Sequence, residues 1–300
     1  ALSVNFNSVT VVTMPGQAGG SAVVAIEPPI PYFKLSNKAV TTSTGGRKVS
    51  VSVIRRGDHE EVEVTGKVPA RDPGKSWYRR AQNPPLYAAN LIMETLKLQG
   101  IEVAGKPGVK AAQKDAVMVH TFFSEPLAVI VRDMNKLSNN FTAEQVLKVL
   151  GGTKKEPAGF DAGLEIMYAL LERAGVPRGS CEITNGSGLS HRTRLSGEQI
   201  VKVLAYAWRK FAWAPDYVSS LSIATGDGTV RKRYRGTSLE HQLRAKTGSI
   251  DMVASLSGYL QNASGDPVAF AVIANGFDDR HYRDVANIED AMAVVLSETR

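Results

Sequence analysis

The chain has 300 residues, 43% of them hydrophobic, with 36 Lys plus Arg against 29 Asp plus Glu for a formal charge of +7. That composition can bury at least one large core and, at a prior of about 150 residues per domain, points to about two domains, which excludes a disordered chain. The single cysteine, Cys181, excludes an intrachain disulfide and a multi-cysteine zinc site, and no apolar run approaches the ~18 residues needed to cross a bilayer.

In chain order, the sequence opens with "ALSVNFNSVTVV", in which no initiator methionine, basic n-region or cleavable apolar stretch can be read. A cytoplasmic chain and a processed or truncated product both fit that opening. From Ala1 to about Arg80, "SVTVVTMPG", "SAVVAIEPP", "RKVSVSVIRRGD" and "HEEVEVTGKVPA" alternate or run apolar between Gly, Pro and Asp punctuation, which predicts a small antiparallel β-domain. In "NPPLYAANLIMETLKLQG" the spacing of Leu86, Asn90, Met93 and Leu96 becomes helical and predicts an amphipathic helix ending at Gly100. We place the domain break before it, with a β-rich domain over 1–82 and a larger domain over 83–300.

Beyond it, "DAVMVHTFF" predicts a strand over 116–123, and "SEPLAVIVRDMNKLSNN" a helix with Ser124 as N-cap and Pro126 in its first turn. Further helices are predicted over 142–150, 161–174, 197–211 and 215–222. The last third reads as hairpins, in "HQLRAKTGSI", "MVASLSGYLQN" and "PVAFAVIANGF", before a closing helix over 284–297. Helices gathered beside an antiparallel sheet define an α+β fold.

Several apparent signals carry no chemistry. "GIEVAGKP" has the Gly and Lys spacing of a phosphate loop, but Pro107 stands where a Ser or Thr would hold magnesium, and a helix precedes it instead of a strand. Asn140, Asn185 and Asn262 each begin an N-x-S/T triplet, which chance alone supplies this often. The five histidines are scattered without ligand spacing, which predicts no metal and no cofactor. Cys181 reads as a small hydrophobe near a turn. The positive balance would suit nucleic acid, anionic lipid or an acidic polymer such as a cell wall, but the densest cluster, "TVRKRYRGT", comes with no nucleic-acid motif and reads as a solvated loop.

Two stretches remain. "KLSNNFT" places Ser138, Asn139 and Asn140 at the end of a predicted helix. "LRAKTGSID" is a strand whose two-residue period puts Leu243, Ala245, Thr247, Ser249 and Asp251 on one face and Arg244, Lys246, Gly248 and Ile250 on the other. Singly, each is a capping or turn sequence. In this chain order they match the Ser-Asp-Asn and Lys-Thr-Gly motifs that β-lactamases and penicillin-binding proteins combine with a Ser-x-x-Lys nucleophile. Asn139 is a neutral replacement at the middle position. "ITNGSGLSHRTRLS", over 183–196, together with "ATGDGTVRKRY", "RAKTGSIDMVASLSGYL" and the opening stretch, resembles the class C low-molecular-mass penicillin-binding proteins, the D-alanyl-D-alanine carboxypeptidases and endopeptidases of the bacterial envelope. The resemblance covers almost the whole chain. It lacks the Glu-bearing deacylation loop of class A β-lactamases.

The resemblance implies a transpeptidase-like catalytic domain with a β-rich inserted domain, located in the periplasm or cell envelope, with peptidoglycan stem peptides and β-lactams as ligands and no nucleic acid. It implies that Ser138 lies in a proton relay, Asn140 hydrogen-bonds the substrate's peptide carbonyl and Lys246 makes the cleft positive. Thr247 would donate to the terminal carboxylate, Gly248 leave room for the substrate backbone, and the Ser249 N–H form half of an oxyanion hole. Acyl transfer needs these functions: an activated serine, a proton route to the leaving amine, donors for the oxyanion and a cation for the carboxylate. A strand of this kind can pair edge-on with an extended peptide.

The match departs from the family at two points. No Ser in the sequence has Lys three positions later, so the nucleophile is expected on an N-terminal portion of the same polypeptide, and this fragment alone is expected to be inactive. His191 and Arg192 follow "GSGLS" where the family often has Arg, which makes both candidates for a substrate carboxylate. A non-catalytic peptidoglycan-binding or scaffold protein on the same fold is the alternative reading. An esterase or β-lactamase would differ in how fast water removes the acyl group, and the sequence leaves self-association into a homo-oligomer open.

Overall fold

Valine at every second position builds the first half of the chain. Along β1 (Ser8–Met14), Val9, Val11 and Thr13 point inward and are fully buried, and the Thr13 hydroxyl is satisfied there by accepting from Trp77 Nε1 at 3.0 Å and donating to the Lys75 carbonyl at 3.3 Å. The computed structural model describes residues 3–111, 113, 115–154 and 157–300, which fall into two units, Ala1–His120 and Thr121–Arg300.

In the first unit β1 is the middle strand of an antiparallel sheet, between β2 (Val23–Glu27) and β6 (Lys75–Arg80). A second sheet holds β3 (Phe33–Thr42), β4 (Lys48–Arg56) and β5 (His59–Pro69) in the order β3-β5-β4. The expected all-antiparallel arrangement fails here, because β5 pairs with β3 in parallel. Burial explains the order: β5 contributes the fully buried Val62, Val64 and Val68 and takes the centre, while β4, ending in exposed Arg55 and Arg56, is left at the edge. β3 and β6 were not expected from the sequence. β3 interrupts its alternation with exposed Lys34 and Leu35, and β6, "KSWYRR", is half charged.

The helix α1 (Pro84–Leu98) starts where predicted, with Asn83 as N-cap and prolines in its first turn. Tyr87 and Ala88 are fully buried, and the Tyr87 ring lies 6.3 Å from Tyr32 and 5.0 Å from Phe33. The β-rich unit therefore runs past the expected break at residue 82, because these aromatic contacts bind α1 to its core.

Among the described residues, 101–126 contain no helix or strand. The strand expected over 116–123 is absent, and Val117, Val119, Phe122 and Phe123 are 84–97% exposed. A strand pattern becomes a strand only with an edge to pair with. Ser124 is not the N-cap expected of it. Its hydroxyl donates to the Glu125 carbonyl, and α2 (Leu127–Leu137) begins after Pro126 with no side-chain cap.

In the second unit, β8 (Arg244–Ile250), β9 (Val253–Gln261) and β10 (Pro267–Asn275) form the predicted antiparallel hairpins, extended by the two-residue β7 (Ser222–Ile223) into the order β10-β9-β8-β7. Alternation along β9 divides the two faces. Leu256 and Leu260 pack with Ala293 of α7 (Tyr282–Ser297), whereas Tyr259 faces the other way, packs with Leu204 of α5 (Gly197–Trp208) and donates its hydroxyl to the Leu204 carbonyl at 2.8 Å. The Ser196 and Gln199 capping box fixes the start of α5. Also in this unit are α3 (Asn140–Gly152), α4 (Phe160–Arg173) and α6 (Ala214–Ser220), of which α3 packs on α4 and α6 on α2. The predicted helices are all present, with ends shifted by up to three residues. The resulting fold mixes antiparallel sheets with helices, as expected.

Candidate active site

The stretch "KLSNN" forms a corner between two helices. α2 stops at Leu137, Ser138 takes the left-handed conformation (φ 53°, ψ 48°), and Asn139 caps α3 by accepting from the Thr142 N–H at 2.9 Å. Asn140 is the first helical residue. A non-glycine residue in that conformation costs about 1–2 kcal/mol, so the surroundings must hold it. They do so through the last turn of α2. Asn135 Nδ2 donates to Ser220 Oγ at 2.7 Å, and Lys136 Nζ donates to the Leu221 carbonyl at 3.1 Å and to Asp227 Oδ2 at 2.5 Å. Burial works to raise the Asp227 pKa, but the Lys136 ammonium, the Ile223 N–H and the nearby Arg244 outweigh it and hold the carboxyl below its ordinary value.

Against this corner lies β8. Lys246 Nζ donates to Ser138 Oγ at 2.7 Å and to the Thr247 carbonyl at 2.9 Å, joining residues 108 positions apart in the chain. Lys246 has no carboxylate partner among the described residues, and burial pushes its pKa below the usual lysine value. The result is a partly desolvated cation touching a hydroxyl that remains able to donate its own proton.

The β7 strand covers β8 only at Arg244 and Ala245. From Lys246 to Ile250 that edge is unpaired among the described residues, and it borders an open groove of about 1080 Å³. Ser138, Asn140, Lys246, Thr247, Gly248, Ser249 and His191 all line this one groove, Asn140 and His191 as exposed groups. Arg192 does not join them. Its side chain is exposed and reaches Glu182 at 3.4 Å, which draws the guanidinium away from the groove.

Two details modify the roles expected of β8. A Cβ on Gly248 would stand 2.4 Å from Ser255 Oγ on the paired strand, so Ser255 would have to turn its hydroxyl away to admit one, a constraint from the sheet itself. The Thr247 hydroxyl lies 2.9 Å from that of Thr229, so it can donate to a carboxylate only when Thr229 donates to it in turn. Sequence reasoning assigned no role to Asn135, Lys136, Asp227, Thr229 or Ser255. Only the "TGDGT" stretch signalled any of them, through the family likeness. Cys181 lies outside the groove, and burial raises its thiol pKa, which suits a structural residue.

A partly desolvated lysine at an open strand edge thus touches a helix-corner serine, with an asparagine lining the same groove, an arrangement able to hold an anionic group and relay a proton. The architecture matches penicillin binding protein 4 from Haemophilus influenzae, solved in complex with a β-lactam, with a TM-score of 0.83 over 99% of this chain and 71% of that one. At 22% identity that likeness establishes the fold. In sequence, a D-alanyl-D-alanine carboxypeptidase of Actinomadura sp. is 31% identical over 292 residues, covering 95% of this chain and 53% of the relative. The D-alanyl-D-alanine carboxypeptidase DacB of Haemophilus influenzae is 31% identical over 199 residues, covering 65% of this chain and 41% of the relative. The chain spans about half the length of the curated relatives it matches. The profile of the D-Ala-D-Ala carboxypeptidase 3 (S13) family matches residues 1–299, and the chain belongs to that family.

Proposed function

We propose that this chain supplies most of the active site of a serine-type D-Ala-D-Ala carboxypeptidase or endopeptidase that acts on peptidoglycan stem peptides in the periplasm or cell envelope. The reacting serine would lie on a Ser-x-x-Lys segment outside the present sequence. The observation that carries this reading is the 2.7 Å contact between Lys246 Nζ and Ser138 Oγ beside an unpaired strand edge. An extended acyl-D-Ala-D-Ala peptide would lie along β8 from Lys246 to Ile250, its terminal carboxylate drawn by the Lys246 charge and the Thr247 hydroxyl, its amide held by Asn140. When the serine attacks the penultimate carbonyl, its Oγ–C bond forms as its hydroxyl proton leaves to the lysine of the same Ser-x-x-Lys segment; the C–N bond to the last D-alanine then breaks, and that proton is delivered to the amine nitrogen. Ser138 would relay it, giving up its own hydroxyl proton and regaining the one from the attacking serine, while the Lys246 ammonium orients its oxygen. The same geometry would present a β-lactam carbonyl to the serine.

Incubation with a fluorescent penicillin tests the reading. The full-length protein carrying Ser-x-x-Lys is expected to label covalently, and the present chain alone is expected not to. Absence of labelling in the native full-length protein would leave the alternative, a peptidoglycan-binding scaffold on the same fold.

A further inference from the structure

Outside the residues that face the groove, one side chain ties two of its walls together. Glu144 lies one helical turn beyond Asn140, on the same face of α3. Its Oε1 accepts from the Ser187 N–H at 3.0 Å and from the Ser187 hydroxyl at 2.6 Å, and its Oε2 accepts from the Gly186 N–H at 3.2 Å. The carboxylate therefore takes three hydrogen bonds from the "NGSG" turn, where an isolated surface acid would take them from water. The turn sits directly on the helix backbone: a Cβ at Gly186 would come within 2.7 Å of the Ala143 carbonyl. The turn also closes on itself, through Asn185 Oδ1 accepting from the Gly188 N–H at 2.9 Å. Gly186 to His191 line the groove together with Asn140, whereas Glu144 does not.

We infer that Glu144 is a positioning residue that fixes the distance between Asn140 and the 186–191 wall, and so sets how a peptide seats in the groove. The inference rests on the proposed peptidase reading for its kinetic consequence, though not for its structural one. Charge-assisted hydrogen bonds of this geometry hold a turn more firmly than neutral ones do. Glu144→Gln keeps the shape but removes the charge and turns an amide donor toward one of three donors, so at least one bond is lost.

Two measurements on the full-length protein test this. In Glu144→Gln, amide hydrogen exchange at Gly186 and Ser187 should speed up about tenfold or more, the scale of losing one charge-assisted bond, while exchange in β9 holds. KM for an acyl-D-Ala-D-Ala peptide should rise by a similar factor of about ten with kcat within about twofold, because the reacting groups are untouched. Ser187→Ala, which removes one bond of the three and leaves the backbone contacts, should move both readouts the same way by less, and serves if Glu144→Gln does not fold. Unchanged protection of Gly186 and Ser187, or a fall in kcat at constant KM, would overturn the inference. If the unsubstituted protein turns over no peptide, the peptidase reading fails, and the exchange measurement still decides the role of Glu144.

Discussion

Lys246 has to be both charged and partly removed from water, and these demands oppose each other. Burial favours its neutral form, while the Ser138 oxygen and the Thr247 carbonyl receive its protons and keep the ammonium in place. Removing the cation should cost transition-state stabilisation: Lys246→Ala in the full-length enzyme is expected to slow penicillin acylation about 10²-fold, the usual scale for one electrostatic contact, measured by stopped-flow or gel labelling. The lowered pKa also predicts a stability slope. Between that lowered value and the ordinary 10.5, the unfolded chain holds a proton that the folded chain has released. Stability attributable to this residue therefore rises with pH across that window. Urea unfolding from neutral to alkaline pH should show the unsubstituted protein gaining on Lys246→Met over that interval. Of the eight residues picked from the sequence, seven line the groove: four are consecutive on β8, whose open edge brings both faces of the strand to it, and Ser138 and Asn140 flank a helix terminus. Arg192 lies outside that lining, 3.4 Å from Glu182, and pairing across a loop leaves no periodic trace.

At the scale of elements, the Ser-Asn-Asn motif divides its labour. All three members line the groove, and Asn139 in addition serves α3 as its cap. Asn139→Ala should therefore destabilise the protein by about 1 kcal/mol in urea unfolding. Asn139→Asp should keep the cap and add roughly 0.3–1 kcal/mol through the helix dipole. The strand motif has a comparable structural component. Gly248→Ala should be destabilising because of Ser255 Oγ, and Ser255→Ala in the same chain should restore most of that loss, leaving the Cβ 3.7 Å or more from its neighbour. If acylation of the full-length enzyme stays low in the double variant, the missing side chain matters to the ligand as well as to the sheet. Helices and the last three strands were legible because each carries its own period and punctuation. β3 and β6 were not, since exposed and charged side chains break their alternation, and the parallel pairing of β3 with β5 depends on which strand is apolar enough to take the centre.

For the whole molecule, composition pointed to about two parts, and two units are observed, but the junction lies beyond α1. Composition changes at residue 83, whereas the packing of Tyr87 on Tyr32 and Phe33 keeps α1 with the first unit, which runs to His120. Trypsin under native conditions should cut first near Lys110, which is exposed and outside any helix or strand, and not at Arg80, the last residue of β6. Mass spectrometry of the first fragments distinguishes these sites. The exposed side chains of Val117 and Val119 in the first unit, and of Phe122 and Phe123 in the second, also bear on how the chain behaves in a test tube. Each of these side chains would gain roughly 1.5–3 kcal/mol on leaving water, so clumping competes with dispersal as concentration rises. Ammonium sulfate, which strengthens that tendency, should bring the chain out of solution at lower ionic strength than sodium chloride does.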